Sequence, residues 1–129
     1  MAYKLELERT DTTPYILIDE ENGYMRFEGE SYHENVISFF NEVSEWLSAF
    51  LQTDFSSFTF DCELKYFSSS TVKILLNMLL DMNNSKNSNC ITVNWITTQD
   101  NKIIIECGED FHEDLENITF NIVINENES

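Results

Sequence analysis

The stretch FTFDCELKYFSSSTVKILLN, residues 58–77, contains a strand pattern that is followed at once by a helix pattern. Apolar and polar side chains alternate in its first half, as they do in a strand with one buried face. In its second half apolar residues return at helical spacing, so a helix is expected to begin within the four hydroxyl residues at 68–71. The strand face predicted to be buried carries Phe58, Phe60, Cys62, Leu64 and Tyr66.

A hairpin and a helix are expected before this stretch. Residues 15–28 predict a β-hairpin, because β-forming residues flank the Asn-Gly pair at 22–23, and this pair favours a type I′ turn. A helix then runs to about Leu51, since Ser31 and Glu34 have the spacing of a capping box and the apolar residues after them recur at helical spacing.

Three further elements are expected after the stretch. The patterns predict strands at 90–98 and at 118–124. The segment between them, residues 101–115, is ambiguous, because three isoleucines favour a strand whereas four apolar residues have helical spacing. We interpret it as a helix that Gly108 weakens by about 1 kcal/mol relative to alanine. The four residues at helical spacing are Ile104, Cys107, Phe111 and Leu115.

The predicted order ββαβαβαβ is that of one α/β domain covering residues 1–129. Strands that alternate with amphipathic helices imply a mixed sheet, largely parallel after the hairpin, with the helices packed on it. Residues 1–12 and 125–129 are expected to be flexible termini.

The composition excludes several classes of function. Ten Phe and two Trp supply a core, while 24 acidic against 7 basic residues give a net charge of -17. Such a chain is repelled by nucleic acid and by anionic membrane surfaces, so proteins are the expected partners. Cys62, Cys90 and Cys107 lie far apart and form neither a disulfide framework nor a CxxC site. No signal peptide or membrane span is predicted, so we expect a soluble cytoplasmic protein.

The sequence contains few features that indicate catalysis. The sequence has no GxGxxG, GxxxxGK[ST] or HExxH motif. His33 and His112 lie beside acidic residues but on separate predicted helices, so a shared metal site is not expected. We predict no catalytic residues, no metal and no cofactor. A small enzyme would need a pocket in which polar groups converge, and no motif predicts one.

The hydroxyl run at 68–71 has two possible roles. A hydroxyl at a helix start can cap the exposed amides of the first turn. The same amides and the helix dipole favour a bound anion, so a phosphoryl group added here would be held near the helix start. The local pattern leaves both roles open and does not rank the four hydroxyls.

Two segments carry a resemblance to a known family. TPYILIDEENGYMRFEGESYHENVISFF (residues 13–40) and ELKYFSSSTVKILLNML (63–79) resemble the SiaC-type bacterial regulatory phosphoproteins, and the likeness extends from about residue 13 to residue 124. It implies a fold similar to STAS domains, the fold of anti-sigma factor antagonists. It also implies a switch, in which a partner kinase phosphorylates a Ser or Thr at the start of the helix that follows the core strand.

The resemblance places the phosphoacceptor at one position. The family pattern resembles Tyr, an apolar residue, Asn, the acceptor Thr or Ser, Ser, a small polar residue, an apolar residue and Lys. The pairs Tyr66-Phe67 and Val72-Lys73 match its two ends, which puts the acceptor at Ser69.

The segment departs from the family pattern at two positions. Ser68 stands where Asn is usual, and Ser69 is a serine where threonine is common, so Ser68 and Ser70 are the next candidates. Ser69 is also expected to cap the helix when it is unmodified. The residues predicted to contact a partner near the phosphosite are Tyr66, Phe67, Ser68, Thr71 and Lys73.

The resemblance implies a non-enzymatic protein with three partners. A kinase adds the phosphoryl group, a PP2C-type phosphatase removes it, and the unphosphorylated form binds a downstream protein, expected to be a diguanylate cyclase in c-di-GMP signalling and biofilm control. The alternative on the same fold is an anti-sigma factor antagonist that binds an anti-sigma kinase. The fold does not choose between them, because function depends on the docking surface.

Overall fold

The computed structural model describes residues 2–125, which form one mixed sheet and three helices. The six strands lie in the sheet in the order in which they occur along the chain. The first three are antiparallel, and the pairings from the third strand to the sixth are parallel. The strands are β1 Lys4–Leu7, β2 Tyr15–Asp19, β3 Tyr24–Ser31, β4 Phe58–Phe67, β5 Ile91–Thr98 and β6 Thr119–Asn125. The helices are α1 Val36–Phe50, α2 Ser69–Asn83 and α3 Lys102–Glu113.

All three helices pack on one face of the sheet. A right-handed crossover between each pair of neighbouring parallel strands brings every helix to the same side. Apolar side chains of β3, β4 and β5 meet the helices there. Phe27 packs on Phe40 of α1 with ring centroids 5.4 Å apart, and Trp95 packs on Phe111 of α3 at 5.3 Å. Leu75 of α2 is completely buried in the same core.

Within residues 2–125 the opposite face of the sheet carries no helix and is mainly polar, and we call it the open face. Arg26 at its centre forms ion pairs with Glu63 (2.6 Å), Glu28 (3.1 Å) and Asp61 (3.6 Å). Asp61 also accepts hydrogen bonds from the Tyr24 hydroxyl at 2.7 Å and from the Asn94 amide at 2.8 Å. These contacts bind neighbouring strands to each other without an apolar layer.

The structure confirms the α/β class, and it corrects the predicted element order at the amino terminus. Residues 1–12 were expected to be flexible, but Lys4–Leu7 pairs with β2 as an additional edge strand. This strand has only four residues and alternates Lys and Glu with leucine, as protected edge strands do, so its signal is weak. At the other terminus Asn125 is the last residue of β6, and residues 126–129 lie outside the described residues.

Two local predictions are wrong. The hairpin is joined by four residues, and Asn22 does not have the positive φ that a type I′ turn requires. Gly23 alone is left-handed there, with φ 60°. The capping box is absent as well. The N-cap of α1 is Asn35, and Ser31 is the buried last residue of β3.

A β-bulge changes the end of β4. Leu64 pairs with Gly29 and Tyr66 pairs with Glu30, so Lys65 is the additional residue. The bulge turns Tyr66 away from the core, where the alternation had placed it, and leaves it 55% exposed. Phe67 packs inward instead, against Trp95 at 5.9 Å.

Candidate functional site

The parallel strands end, and the helices begin, along one border of the sheet, which we call the carboxyl edge. β4 leads directly into α2 there, so the hydroxyl run at 68–71 lies at this edge. The end of β3 is adjacent, because Ser31 pairs with Phe67 and accepts a hydrogen bond from the Ser68 amide at 2.9 Å. In open α/β sheets, binding sites form at this kind of edge.

Two of the four hydroxyls have structural roles. The Ser68 hydroxyl accepts a hydrogen bond from the Thr71 amide at 3.3 Å, and Ser68 is therefore the N-cap of α2. The Thr71 side chain is completely buried. Its hydroxyl donates to the Ser31 carbonyl at 3.0 Å and accepts from the Ser31 hydroxyl at 2.9 Å. The helix start is thus fastened to the end of β3.

The other two hydroxyls are not used by the fold. Ser69 and Ser70 are exposed on the first turn of α2, and their hydroxyls form no hydrogen bond within residues 2–125. The prediction that Ser69 caps the helix is wrong, because the preceding residue does so. The helix is capped without Ser69, and its hydroxyl is accessible to solvent.

Aromatic side chains lie next to this turn. Tyr66 and Tyr32 meet edge to face at the surface, with ring centroids 5.5 Å apart. Tyr32 is 40% exposed and follows β3 directly. The sequence analysis missed it, and also missed the role of Ser31, because the hydroxyl of Ser31 was assigned to a cap. The alternation of buried residues along β3, which ends at Ser31, was the available signal.

The five residues predicted to contact a partner differ in their exposure. Tyr66 and Lys73 are exposed, whereas Phe67 and Ser68 are half-buried. Thr71 is completely buried, so a partner cannot contact it in this conformation. Its hydroxyl instead links the start of α2 to Ser31.

The histidines and cysteines are distributed over the molecule. His33 Nδ1 accepts a hydrogen bond from the Asn35 amide at 3.0 Å, whereas His112 stacks on Phe120. No group of three or more His, Cys, Asp or Glu side chains in the described part of the chain could hold a metal ion. Burial raises the pKa of the Cys62 thiol, and burial together with the Asp110 carboxylate raises that of Cys107 to about 11. Both thiols are therefore weak nucleophiles at neutral pH.

One surface depression lies away from the hydroxyl run. It has a volume of about 490 Å³ and is open to solvent between the carboxyl-terminal ends of α1 and α2. Neither histidine lines it. None of the helices within residues 2–125 has the length and apolar character needed to span a bilayer.

A family model matches most of the chain. The model described as SiaC family regulatory phosphoprotein covers residues 7–125. A curated relative, an uncharacterized protein of Pseudomonas aeruginosa (strain UCBPP-PA14), is 27% identical over 111 residues, which are 85% of this chain and 88% of the relative.

Solved structures of SiaC from Pseudomonas aeruginosa are similar to this fold. Apo-SiaC is 26% identical, covers 94% of this chain and 98% of its own, and superposes with a TM-score of 0.83. A second structure contains the diguanylate cyclase SiaD with its activator SiaC, and the matched chain is also 26% identical. It covers 94% of this chain and 99% of its own, with a TM-score of 0.86.

Proposed function

Because this chain belongs to the SiaC family of regulatory phosphoproteins, we propose that it is a non-enzymatic switch controlled by phosphorylation of Ser69. A partner kinase adds the phosphoryl group and a PP2C-type phosphatase removes it. The unmodified form binds and regulates a diguanylate cyclase. The protein thereby connects a kinase and phosphatase pair to c-di-GMP signalling.

The observation that carries the proposal is the accessible, unused hydroxyl of Ser69 at the first turn of α2. Ser69 is also the position that the family pattern matches. Thr71 is closed to a kinase because it is completely buried, and the Ser68 hydroxyl is engaged in the helix cap. Ser70 is exposed too, so it is the competing acceptor.

A phosphoryl group at this position would be tolerated by the fold and would change the surface. It would lie at the amino-terminal end of a helix of 15 residues, where the dipole and the free amides stabilise an anion. It would add about -1.5 to -2 charges at the edge of the sheet that also carries the exposed Tyr66 ring. A partner that packs on that ring would lose affinity, because burying a hydrated dianion against an apolar group has a high desolvation free energy.

The choice of a cyclase as the downstream partner rests on the relative. SiaC of Pseudomonas aeruginosa is the activator of the cyclase SiaD. This favours a diguanylate cyclase over the anti-sigma kinase that the fold also allows.

The proposal is tested by mapping the phosphate and by measuring its effect. The protein is incubated with ATP and the kinase from its own genome, and the product is analysed by mass spectrometry, with Ser69→Ala and Ser70→Ala as a matched pair. We expect phosphate on wild type and Ser70→Ala and none on Ser69→Ala. Phosphate on none of residues 68–71 would refute the switch.

The effect on the partner is measured without the kinase. Phosphoserine is installed at position 69 by stop-codon suppression, and activation of the diguanylate cyclase from the same genome is compared for modified and unmodified protein. We expect activation by the unmodified protein only. Equal activation by both forms would show that Ser69 does not control the output.

A further inference from the structure

Large apolar side chains are exposed at one border of the molecule. Among the described residues, five such side chains are at least 40% exposed, and each lies at the end of a parallel strand or at the start of a helix. All five are therefore at the carboxyl edge, which also carries Ser69. They are Tyr32, Ile37, Tyr66, Ile103 and Ile124.

Unpaired lysines lie at the same edge. Lys65 is the bulged residue of β4, Lys73 lies on the second turn of α2, and Lys102 is the first residue of α3. All three are exposed, and none of them forms an ion pair within residues 2–125. By contrast, Arg26 is paired with three carboxylates on the open face, and Lys86 at the other end of α2 is paired with Asp54 at 3.2 Å.

The fold brings Lys65 and Lys102 to neighbouring positions although they are far apart in sequence, and Lys73 lies on the helix that carries Ser69. The Asn101 amide, at the N-cap of α3, donates a hydrogen bond to the Lys65 carbonyl at 3.0 Å. Lys102 and Ile103 therefore start α3 beside the end of β4. Lys73 lies four residues after Ser69, one turn along the same helix face.

Two acidic residues that flank these lysines in sequence form contacts with other side chains. Glu63 accepts from Arg26 at 2.6 Å, and Asp100 accepts from the Thr98 hydroxyl at 2.6 Å. In a chain of net charge -17, these three lysines have no ion-pair partner among residues 2–125. Unpaired cations around exposed apolar side chains are complementary to a segment that is acidic and also carries apolar residues.

We propose that the surface formed by Lys65, Lys73, Lys102, Tyr66 and Ile103 docks an acidic segment with apolar anchor residues on the diguanylate cyclase. The inference rests on the proposed function and adds the chemical character of the partner surface. It also explains the switch in terms of charge: a phosphoryl group at Ser69 brings about -1.5 to -2 charges to a patch of three lysines and competes with the partner for Lys73.

The test measures the affinity of the full chain for the cyclase from the same genome, by calorimetry at 50 and 200 mM NaCl. Wild type is compared with Lys73→Glu and Lys102→Glu, and with Lys86→Glu as a matched charge reversal at the far end of α2. We expect the dissociation constant of wild type to rise with salt, because screening weakens exposed charge pairs. Each reversal at the carboxyl edge should weaken binding about fivefold, and Lys86→Glu should stay within about twofold.

The outcomes separate the two proposals. Binding that is independent of salt, with all three reversals equal, overturns the inference and leaves the switch intact. Tighter binding by the reversed variants also overturns it, because the partner surface would then be basic. If unmodified wild type does not bind the cyclase at either salt concentration, the proposed function fails, and this inference falls with it.

Discussion

Substitution of each hydroxyl in the run 68–71 should give four different losses of stability, because the structure uses the four side chains differently. Ser69→Ala and Ser70→Ala remove exposed hydroxyls without hydrogen bonds, so the free energy of unfolding should change by less than about 0.5 kcal/mol. Ser68→Ala removes the N-cap of α2 and should cost about 1 kcal/mol.

Thr71→Val should have the largest effect, at nearly constant volume. Valine cannot donate to the Ser31 carbonyl, and it leaves the Ser31 hydroxyl buried without its hydrogen-bond partner. An unsatisfied buried polar group costs about 1–3 kcal/mol. Because the Ser31 carbonyl still accepts from the Ser68 amide at 2.9 Å, we expect a loss of about 2 kcal/mol.

The assay is urea unfolding followed by tryptophan fluorescence, with a double-mutant cycle. Ser31→Ala removes the hydroxyl that Thr71→Val would leave unpaired, so the double variant should be more stable than the sum of the single losses by about 1 kcal/mol. If the losses of Ser31→Ala and Thr71→Val were additive, the hydrogen bond between the two buried hydroxyls would be refuted. A loss for Ser69→Ala as large as that for Ser68→Ala would refute the assignment of the cap, and it would also confound the use of Ser69→Ala as a phosphorylation control.

Three further outcomes are expected. In protein with phosphoserine at position 69, the second pKa of the phosphate should be higher by about 0.3 in Lys73→Met than in wild type; ³¹P NMR titration measures it, and equal values would exclude pairing one turn along the helix. Gly108→Ala should lower the free energy of unfolding, measured in urea, by about 2 kcal/mol, since the new Cβ would overlap Trp95 Cδ1 and this overlap outweighs about 1 kcal/mol of helix propensity. The Cys107 thiol, with its pKa raised to about 11 by burial, should react slowly with disulfide reagents at pH 8 and faster as the pH approaches 11; rapid labelling at pH 8, detected by intact mass, would contradict its burial.

Periodicity was sufficient for the elements with long patterns. The core strand at 58–67, the helix after the hydroxyl run and the helix at 102–113 all occur as predicted, because alternation and helical spacing report directly on which face is buried. The four-residue strand β1 was missed, since its stability comes from pairing with β2 and its own pattern is short. The resemblance to the SiaC family is confirmed by the family model over residues 7–125 and by the similarity to apo-SiaC.

The sequence alone was enough to place a hydroxyl run between a core strand and a helix, because this is a local property of neighbouring residues. The phosphosite at Ser69 stays a prediction that rests on the family resemblance. The role of each hydroxyl depends on contacts across the chain. Thr71 is buried because it meets Ser31, 40 residues earlier, and the bulge at Lys65 exposes Tyr66 because β3 and β4 change register at that point. Such contacts depend on how distant strands align, which local periodicity does not encode. Tertiary structure therefore assigned the cap to Ser68 and left Ser69 accessible, at the same edge of the sheet as the exposed Tyr66 ring.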